Sequence, residues 1–268
     1  MVVSPAKRDR PRMPESQEPA SQELTEPGGR VRLFVEAPLA AGARVVPDAA
    51  QTHYLLHVMR AQEGDRAGLF NGRDGEWIAT LVDKTKRACA FRCEKQIAPQ
   101  HEVPDLWLAF APIKKTPADY VVQKATELGV RALAPVFTRR TIASRVNLER
   151  MRANAIEAAE QSGRVSVPAV REPVRLDVLL SQWPKERRLV FCDEAGDARP
   201  LREALAAQPD GAFAILTGPE GGFDPDERAL LRDHPFVIPV TLGRRILRAD
   251  TAALAALAIW QSVKGDWQ

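Results

Sequence analysis

Two textures of apolar residues follow one another along the chain. From Val31 to about Ala98 the apolar positions come in short runs, VRLFVEA, ARVV, DRAGLFNG, EWIATLVD and RACAFRCEKQI, rich in β-forming residues and punctuated by turn residues. Asn71-Gly72 and Asp74-Gly75 lie between two of these runs and predict a hairpin. One helix is predicted among them, with Asp48 as N-cap, an end near Ala61 and Gly64 just beyond. Short strands and a single helix predict a small β-barrel over residues 31–100, and Pro99, His101 and Pro104 interrupt the pattern where it ends.

After Pro104 the texture becomes an alternation of strands and helices. DLWLAFAPI is nearly continuous in apolar residues, as a strand covered on both faces should be. A helix follows, with Thr116 as predicted cap, Pro117 at its first position, Ala118, Val121, Val122, Ala125 and Leu128 at helical spacing, and Gly129 at its end. Next come strand ALAPVFT, a helix from Asn147 to Ser162 closed by Gly163, and a short helix over Leu176 to Trp183. Strand RLVFCD, a helix from Pro200, strand AFAILT, a helix from Asp224-Pro225, strand FVIPVTL and a helix from Ala249 to Val263 complete the series. This order predicts an α/β domain over residues 104–268 with a mostly parallel sheet flanked by helices. Residues 1–30 hold ten charged groups, five prolines and no aromatic residue, and are expected to form a disordered tail.

Composition narrows the class without choosing within it. With 45% apolar and 27% charged residues, the chain has the balance of a globular protein. Its longest apolar run, Ala252 to Trp260, falls far short of the roughly 20 residues that span a bilayer. No secretory pattern opens the chain, and three cysteines do not make a disulfide framework, so a cytoplasmic, reduced location is expected. The net charge of +3 hides an uneven distribution: residues 101–175 carry twelve basic and eight acidic groups, and residues 176–268 eleven and fourteen. A basic middle suits a polyanionic partner. His53 and His57 stand four apart, but without a third ligand nearby no metal site is expected.

Ligands of α/β sheets bind beyond the carboxyl ends of strands, which directs attention to two loops. The first, Thr217-Gly218-Pro219-Glu220-Gly221-Gly222-Phe223, has three glycines in five residues, so its backbone can approach a ligand closely. It matches neither the dinucleotide fingerprint nor the phosphate-binding loop pattern. The second runs from Leu242 through Arg244, Arg245 and Arg248 to Ala253, and arginines at a strand's carboxyl end require an anion, a carboxylate or solvent. Asp250 and Glu220 are candidate carboxylates.

ILTGPEGGF followed by LGRRILRADTAAL closely resembles the C-terminal motif pair of the bacterial 16S rRNA (uracil-N3) methyltransferase family, one of the knotted SPOUT methyltransferases. HYLLHVMR, GLFNG, KKTPADYVVQKATELGV and EAAEQSGR extend the resemblance in order from about Arg32 to Gln261. Asp250 departs from the glutamate usual in the family. The resemblance implies a PUA-like RNA-binding barrel, a trefoil-knotted C-terminal domain, an S-adenosylmethionine pocket and a homodimer acting on 16S rRNA or the 30S subunit. It carries cofactor binding to Leu216, Thr217, Gly218, Glu220, Gly221 and Gly222, and to Leu242, Gly243, Ile246, Leu247, Arg248 and Thr251. Glu194 is a further candidate for a ribose hydroxyl.

Uracil N3 is a weakly acidic imide, so its methylation calls for a base or for a cation beside the developing negative charge. Arg248 or Arg164 is expected as that cation, with Glu220 or Glu160 as proton acceptor. RNA contacts are expected from Arg32, Arg60 and Arg73 of the barrel, from Lys114, Lys115 and Lys124, and from Arg139, Arg140 and Arg164. Two rivals remain open on sequence: a knotted RNA methyltransferase with another base or a ribose 2′-hydroxyl as target, and a non-catalytic RNA-binding assembly factor.

Overall fold

Asn71 turns the chain as its side chain allows, its Oδ1 accepting the backbone N–H groups of Arg73 and Asp74. The expected hairpin forms around it in the computed structural model, which describes residues 22–26, 29–113, 115–194 and 197–267. β1 (Thr25–Glu26) pairs with β2 (Gly29–Arg30). β3 (Arg32–Phe34), β4 (Arg44–Val45), β5 (Arg66–Phe70), β6 (Glu76–Val82) and β7 (Ala90–Ala98) form one sheet in the order β3-β5-β6-β7-β4. Its inward side chains, among them Leu33, Leu69, Leu81 and Phe91, close a core of their own.

Two expectations for this region change. Residues 1–21, 27 and 28 of the expected tail lie outside the described residues, but the tail does not extend to residue 30. Leu24 is buried in the barrel core, and its N–H bonds the carbonyl of Arg66 at 2.9 Å. One apolar anchor with paired backbone on both sides repays the ordering of these few residues. The predicted helix is also shorter as an α-helix. Asp48 caps α1 (Ala49–His53) in a capping box with Gln51, but Tyr54–Val58 continues as a π-turn. The wider turn brings Tyr54, Leu55, Leu56 and Met59 together onto the barrel core.

The second domain follows the predicted alternation. Its strands are β8 (Leu106–Phe110), β9 (Ala132–Phe137), β10 (Ala169–Val170), β11 (Val174–Arg175), β12 (Arg188–Cys192), β13 (Arg199–Pro200), β14 (Phe213–Thr217) and β15 (Val237–Thr241). All pair in parallel, in the order β10-β9-β8-β14-β12-β15-β13, with β11 also on β9. The helices are α2 (Lys115–Glu127), α3 (Leu148–Ser162), α4 (Leu176–Ser181), α5 (Leu201–Ala206), α6 (Pro225–Asp233) and α7 (Ala249–Lys264). Leu106, Leu108 and Phe110 pack with α2, α3, α5 and α7 on one side of the sheet. Ala109, Ala214 and Leu216 pack with Leu176, Leu180, Phe223 and Leu231 on the other. Burial on both faces is why these strands read as unbroken apolar runs. α2 starts at Lys115, ahead of the expected cap Thr116, and Pro117 is tolerated because a first turn has no use for its missing N–H.

Candidate active site

The parallel order sends the ends of β14, β12 and β15 to one edge of the sheet, with β12 in the middle. Strands in a sheet lie about 4.8 Å apart, so the loops that leave β14 and β15 stand roughly 10 Å apart across the end of β12. The two loops singled out by sequence are thus neighbours, although about twenty residues separate them along the chain.

The first loop is held from several sides. Leu216 and Thr217 are buried at the end of β14. A Cβ on Gly218 would lie 2.7 Å from the Phe223 ring, and one on Gly222, whose φ is +67°, would lie 2.5 Å from Glu194 Oε1. The side-chain positions of both glycines are therefore taken by the protein itself, and main-chain N–H and C=O groups are what this strip can offer a ligand. Glu194 Oε1 accepts the Phe223 N–H at 3.3 Å, which ties the end of β12 to this loop. Arg140 donates to the Gly221 carbonyl at 3.0 Å. Asp224 and Glu227 cap α6 reciprocally, at the helix start the sequence predicts. Glu227 also accepts the Arg139 N–H at 2.8 Å, joining the end of β9 to the start of α6.

The second loop is open. Leu242 is half-buried against the core, Gly243 has φ +109°, Leu247 is half-buried, and Ile246 is 89% exposed. Arg244, Arg245 and Arg248 are exposed and make no ion pair among the described residues, and the same is true of Glu220 in the first loop. Arg248 occupies the N-cap position of α7 without capping it. Asp250 accepts the Thr251 N–H at 2.7 Å, a local turn that uses the shorter carboxylate at the helix start.

Several other expected site residues are engaged elsewhere. Arg164 is buried, and its guanidinium donates to the carbonyls of Thr126 at 2.6 Å, Val130 at 3.1 Å and Ser166 at 3.0 Å. Burial lowers its pKa to about 10, and it remains a cation at neutral pH with its donors committed to main-chain carbonyls. Glu160 accepts the Phe34 N–H at 2.9 Å, on the barrel side of α3. Arg32 is nearly buried between the domains and pairs with Glu76. These hydrogen bonds engage Arg164, Glu160 and Arg32 with other parts of the protein, whereas the candidates Arg248 and Glu220 are exposed and without an ion pair among the described residues.

Among the expected RNA contacts, Arg139 pairs with Asp224 at 2.7 Å and Asp226 at 2.6 Å, hydrogen bonds that raise its pKa, Asp226 first. Lys124 pairs with Glu127 at 2.6 Å, and Arg73 donates to the Glu36 carbonyl at 2.8 Å. Arg60 is exposed with φ +55°. Lys114 lies outside the described residues, and Lys115 opens α2.

Sequence reasoning missed the supports beneath the site. Asp193, its side chain fully buried at the end of β12, pairs with Arg228 at 2.9 Å and Arg232 at 2.6 Å. These arginines stand four apart on α6, a spacing that places them on one face and could have suggested a shared partner. The Cys192 thiol is pushed up to about 12, by burial first and by Glu194 second, and so stays protonated and unreactive. Two open cavities are lined by residues outside the loop pair. One of about 460 Å³ follows the free side of β15 past Arg188 and Arg232, and one of about 370 Å³ lies among Thr138, Arg175 and Leu230. His53 and His57 are near neighbours, with ring centroids 4.8 Å apart. Among the described residues no cluster of three or more His, Cys, Asp or Glu is placed to hold a metal ion, and no helix is long and apolar enough to cross a membrane.

A parallel sheet with a glycine-rich and an arginine-rich loop at one end, carried beside a small barrel, corresponds to an RNA methyltransferase. Residues 100–261 match the RNA methyltransferase domain family, and residues 46–92 match the RNA methyltransferase PUA domain. Ribosomal RNA small subunit methyltransferase E of Rickettsia conorii is 30% identical over 85% of this chain and 93% of its own. The protein of that name from Synechocystis is 34% identical over 85% of this chain and 76% of its own. The chain belongs to the ribosomal RNA small subunit methyltransferase E family. Among solved structures, a methyltransferase from Legionella pneumophila in complex with S-adenosylmethionine aligns with TM-score 0.80 and 28% identity over 88% of this chain and 98% of its own. The methyltransferase E of Neisseria gonorrhoeae, bound to S-adenosylmethionine, aligns with TM-score 0.78 and 29% identity over 89% and 99%.

Proposed function

We propose that this protein methylates N3 of a specific uridine in the 16S RNA of the small ribosomal subunit, using S-adenosylmethionine. The observation that carries the reading is the juxtaposition of the bare glycine strip with the unpaired arginines of the second loop, in a chain of this family. The residues present fit the cofactor: main-chain groups of Thr217 to Gly222 can read an adenine edge, Leu242, Ile246 and Leu247 offer apolar cover for the ring, and Glu194 lies at the loop for a ribose hydroxyl. S-adenosylmethionine supplies an electrophilic methyl group on a sulfonium.

What remains for the protein is orientation, exclusion of water and the management of one proton. N3 lies on the base-pairing edge, so the uridine must be unpaired or turned out before it reaches the loops. Arg248 stabilises negative charge on the uracil oxygens as the N3 proton leaves, and Glu220 accepts that proton. The exposed cations Arg244 and Arg245, together with Arg60, hold RNA phosphates. Such contacts make affinity fall as salt rises, and a flat salt dependence would remove them. The knotted threading and the homodimer belong to the same reading. The order β14-β12-β15, which sets both loops around one strand end, supports the first, and the 89% exposure of Ile246 beside the arginines supports the second.

The test is methylation of naked small-subunit RNA and of 30S particles, with mass spectrometry to place the methyl group. Methyl on N3 of one uridine is the expected result. Methyl on another base or on a ribose hydroxyl would establish the first rival, and absence of cofactor binding by calorimetry the second. Unchanged methyl transfer by Arg248→Ala at saturating cofactor would remove the role given to Arg248.

A further inference from the structure

Arg32 and Arg164 meet at one place, where the barrel touches the end of α3. Arg32 Nη1 donates to the carbonyls of Ala159 and Glu160, both at 2.8 Å, and Nη2 to the carbonyl of Arg164 at 2.7 Å. These carbonyls belong to the last turn of α3 and the segment just past it, where helix geometry leaves C=O groups without partners. The other edge of the same guanidinium forms a fork on Glu76, at 3.1 and 3.0 Å, and its carbon lies 4.7 Å from the centre of the Phe70 ring. Glu160 returns the connection by accepting the Phe34 N–H. Arg164, whose carbonyl Arg32 holds, is itself rooted by its side chain in the turn between α2 and β9.

α3 is fixed to the α/β domain by Met151 and Ala155 in its core. It has 15 residues, a rod of about 22 Å. Its N-cap, Asn147, ends the segment that begins with Arg139 and Arg140, and Arg140 holds Gly221 of the glycine strip. Hydrogen bonds thus tie the barrel to the end of α3 and Arg140 to the glycine strip, and the chain from Arg140 to Asn147 joins the two. A substrate that touches both the barrel and the loop pair would read the distance this strut sets.

We propose that Arg32 and Arg164 are positioning residues that lock the barrel to α3 at a fixed span from the methyl-transfer loops, so that a large folded RNA engages both domains in register. The proposal rests on the functional reading above and adds to it that substrate selection depends on the rigidity of this joint. Lysine at position 32 keeps the charge opposite Glu76 but cannot serve both that carboxylate and three carbonyls, because it lacks the planar fork.

The experiment uses the full chain, wild type and Arg32→Lys, each with spin labels at Val46→Cys in the barrel and Leu230→Cys on α6, both exposed positions. Labelled chains are diluted with unlabelled ones so that only distances within a chain are read. Arg152→Ala is the control: it removes an exposed pair with Glu36 that crosses the same joint. Arg32→Lys should broaden the distance distribution, leave S-adenosylmethionine affinity within about twofold, and raise KM for 30S subunits about tenfold or more while kcat changes less. Arg152→Ala should change none of these. An unchanged distribution overturns the proposal, as does a broadened one with unaltered 30S kinetics. A parallel loss of cofactor affinity would show a general structural defect instead and overturns it too. If the wild type transfers no methyl group, the functional reading fails, while the distance measurement still reports on the joint.

Discussion

Replacing Gly222 by alanine tests the packing of the cofactor loop, and its effect divides into two parts that can be measured separately. The backbone at Gly222 has φ +67°, which costs an L-residue about 1–2 kcal/mol. The new Cβ would also stand 2.5 Å from Glu194 Oε1. Glu194 is exposed, so it can rotate away, but doing so breaks its bond to the Phe223 N–H, a loss of about 1–1.5 kcal/mol. Gly163 supplies the control. Its φ is +78°, and nothing lies within 4 Å of a Cβ placed there, so Gly163→Ala carries the backbone cost alone. Thermal unfolding should show Gly222→Ala destabilised by about 2–3 kcal/mol and Gly163→Ala by about 1–2. Calorimetric titration with S-adenosylmethionine should show roughly tenfold weaker binding for Gly222→Ala, equivalent to about 1.4 kcal/mol, and unchanged binding for Gly163→Ala. Equal affinity in both variants would refute the argument that Glu194 and the glycine strip form one binding unit.

Arg164→Met should destabilise the protein by about 2–3 kcal/mol, because the buried carbonyl of Val130 loses its guanidinium donor and that of Thr126 keeps only the Gly129 N–H; a variant with unchanged melting but no methyl transfer would place Arg164 in the active site. Asp193→Asn should cost about 2 kcal/mol, discounted from the full price of a broken buried pair because Arg228 and Arg232 are 27% and 34% exposed, and denaturant titration measures it. The Leu39 N–H first, and Asn71 second, hold the Asp74 carboxyl below its usual 3.8. Its contribution is therefore present above about pH 4 and is lost as pH falls through the folded value, so Asp74→Asn should flatten the acid limb of a melting-temperature profile. The Cys192 thiol, pushed up to about 12, should resist iodoacetamide at pH 8 in the native protein, as mass spectrometry of the alkylated chain will show.

Much of the architecture was legible because it is written in local signals. The N-cap at Asp48, the helix starts at Asn147 and Asp224, and the glycines at 129 and 163 each act within a few residues, and the apolar runs of β8, β12, β14 and β15 announce strands covered on both faces. The misplaced boundaries have physical causes of the same scale. A helix rule cannot see that Tyr54–Val58 widens to seat four apolar side chains, and composition cannot see that Leu24 finds a pocket in the barrel. The two candidate loops were found because each leaves the carboxyl end of an apolar strand and carries glycines or arginines suited to a ligand, while their adjacency came only from the strand order.

What the chain by itself determined is therefore its element order, its two domains, the family its motifs share, and which loops could meet a ligand. Which charged residues are free to do so was decided only by the tertiary structure. Arg32, Arg164 and Arg248 are indistinguishable as arginines in a sequence, and each could meet a phosphate or a developing anion. Arg32 is satisfied by carbonyls more than 120 residues away and Arg164 by two carbonyls more than 30 away besides that of Ser166, whereas Arg248 meets no such acceptor among the described residues. A guanidinium's availability depends on whether the fold brings main-chain acceptors within about 3 Å of it, and that proximity is a property of packing between distant segments.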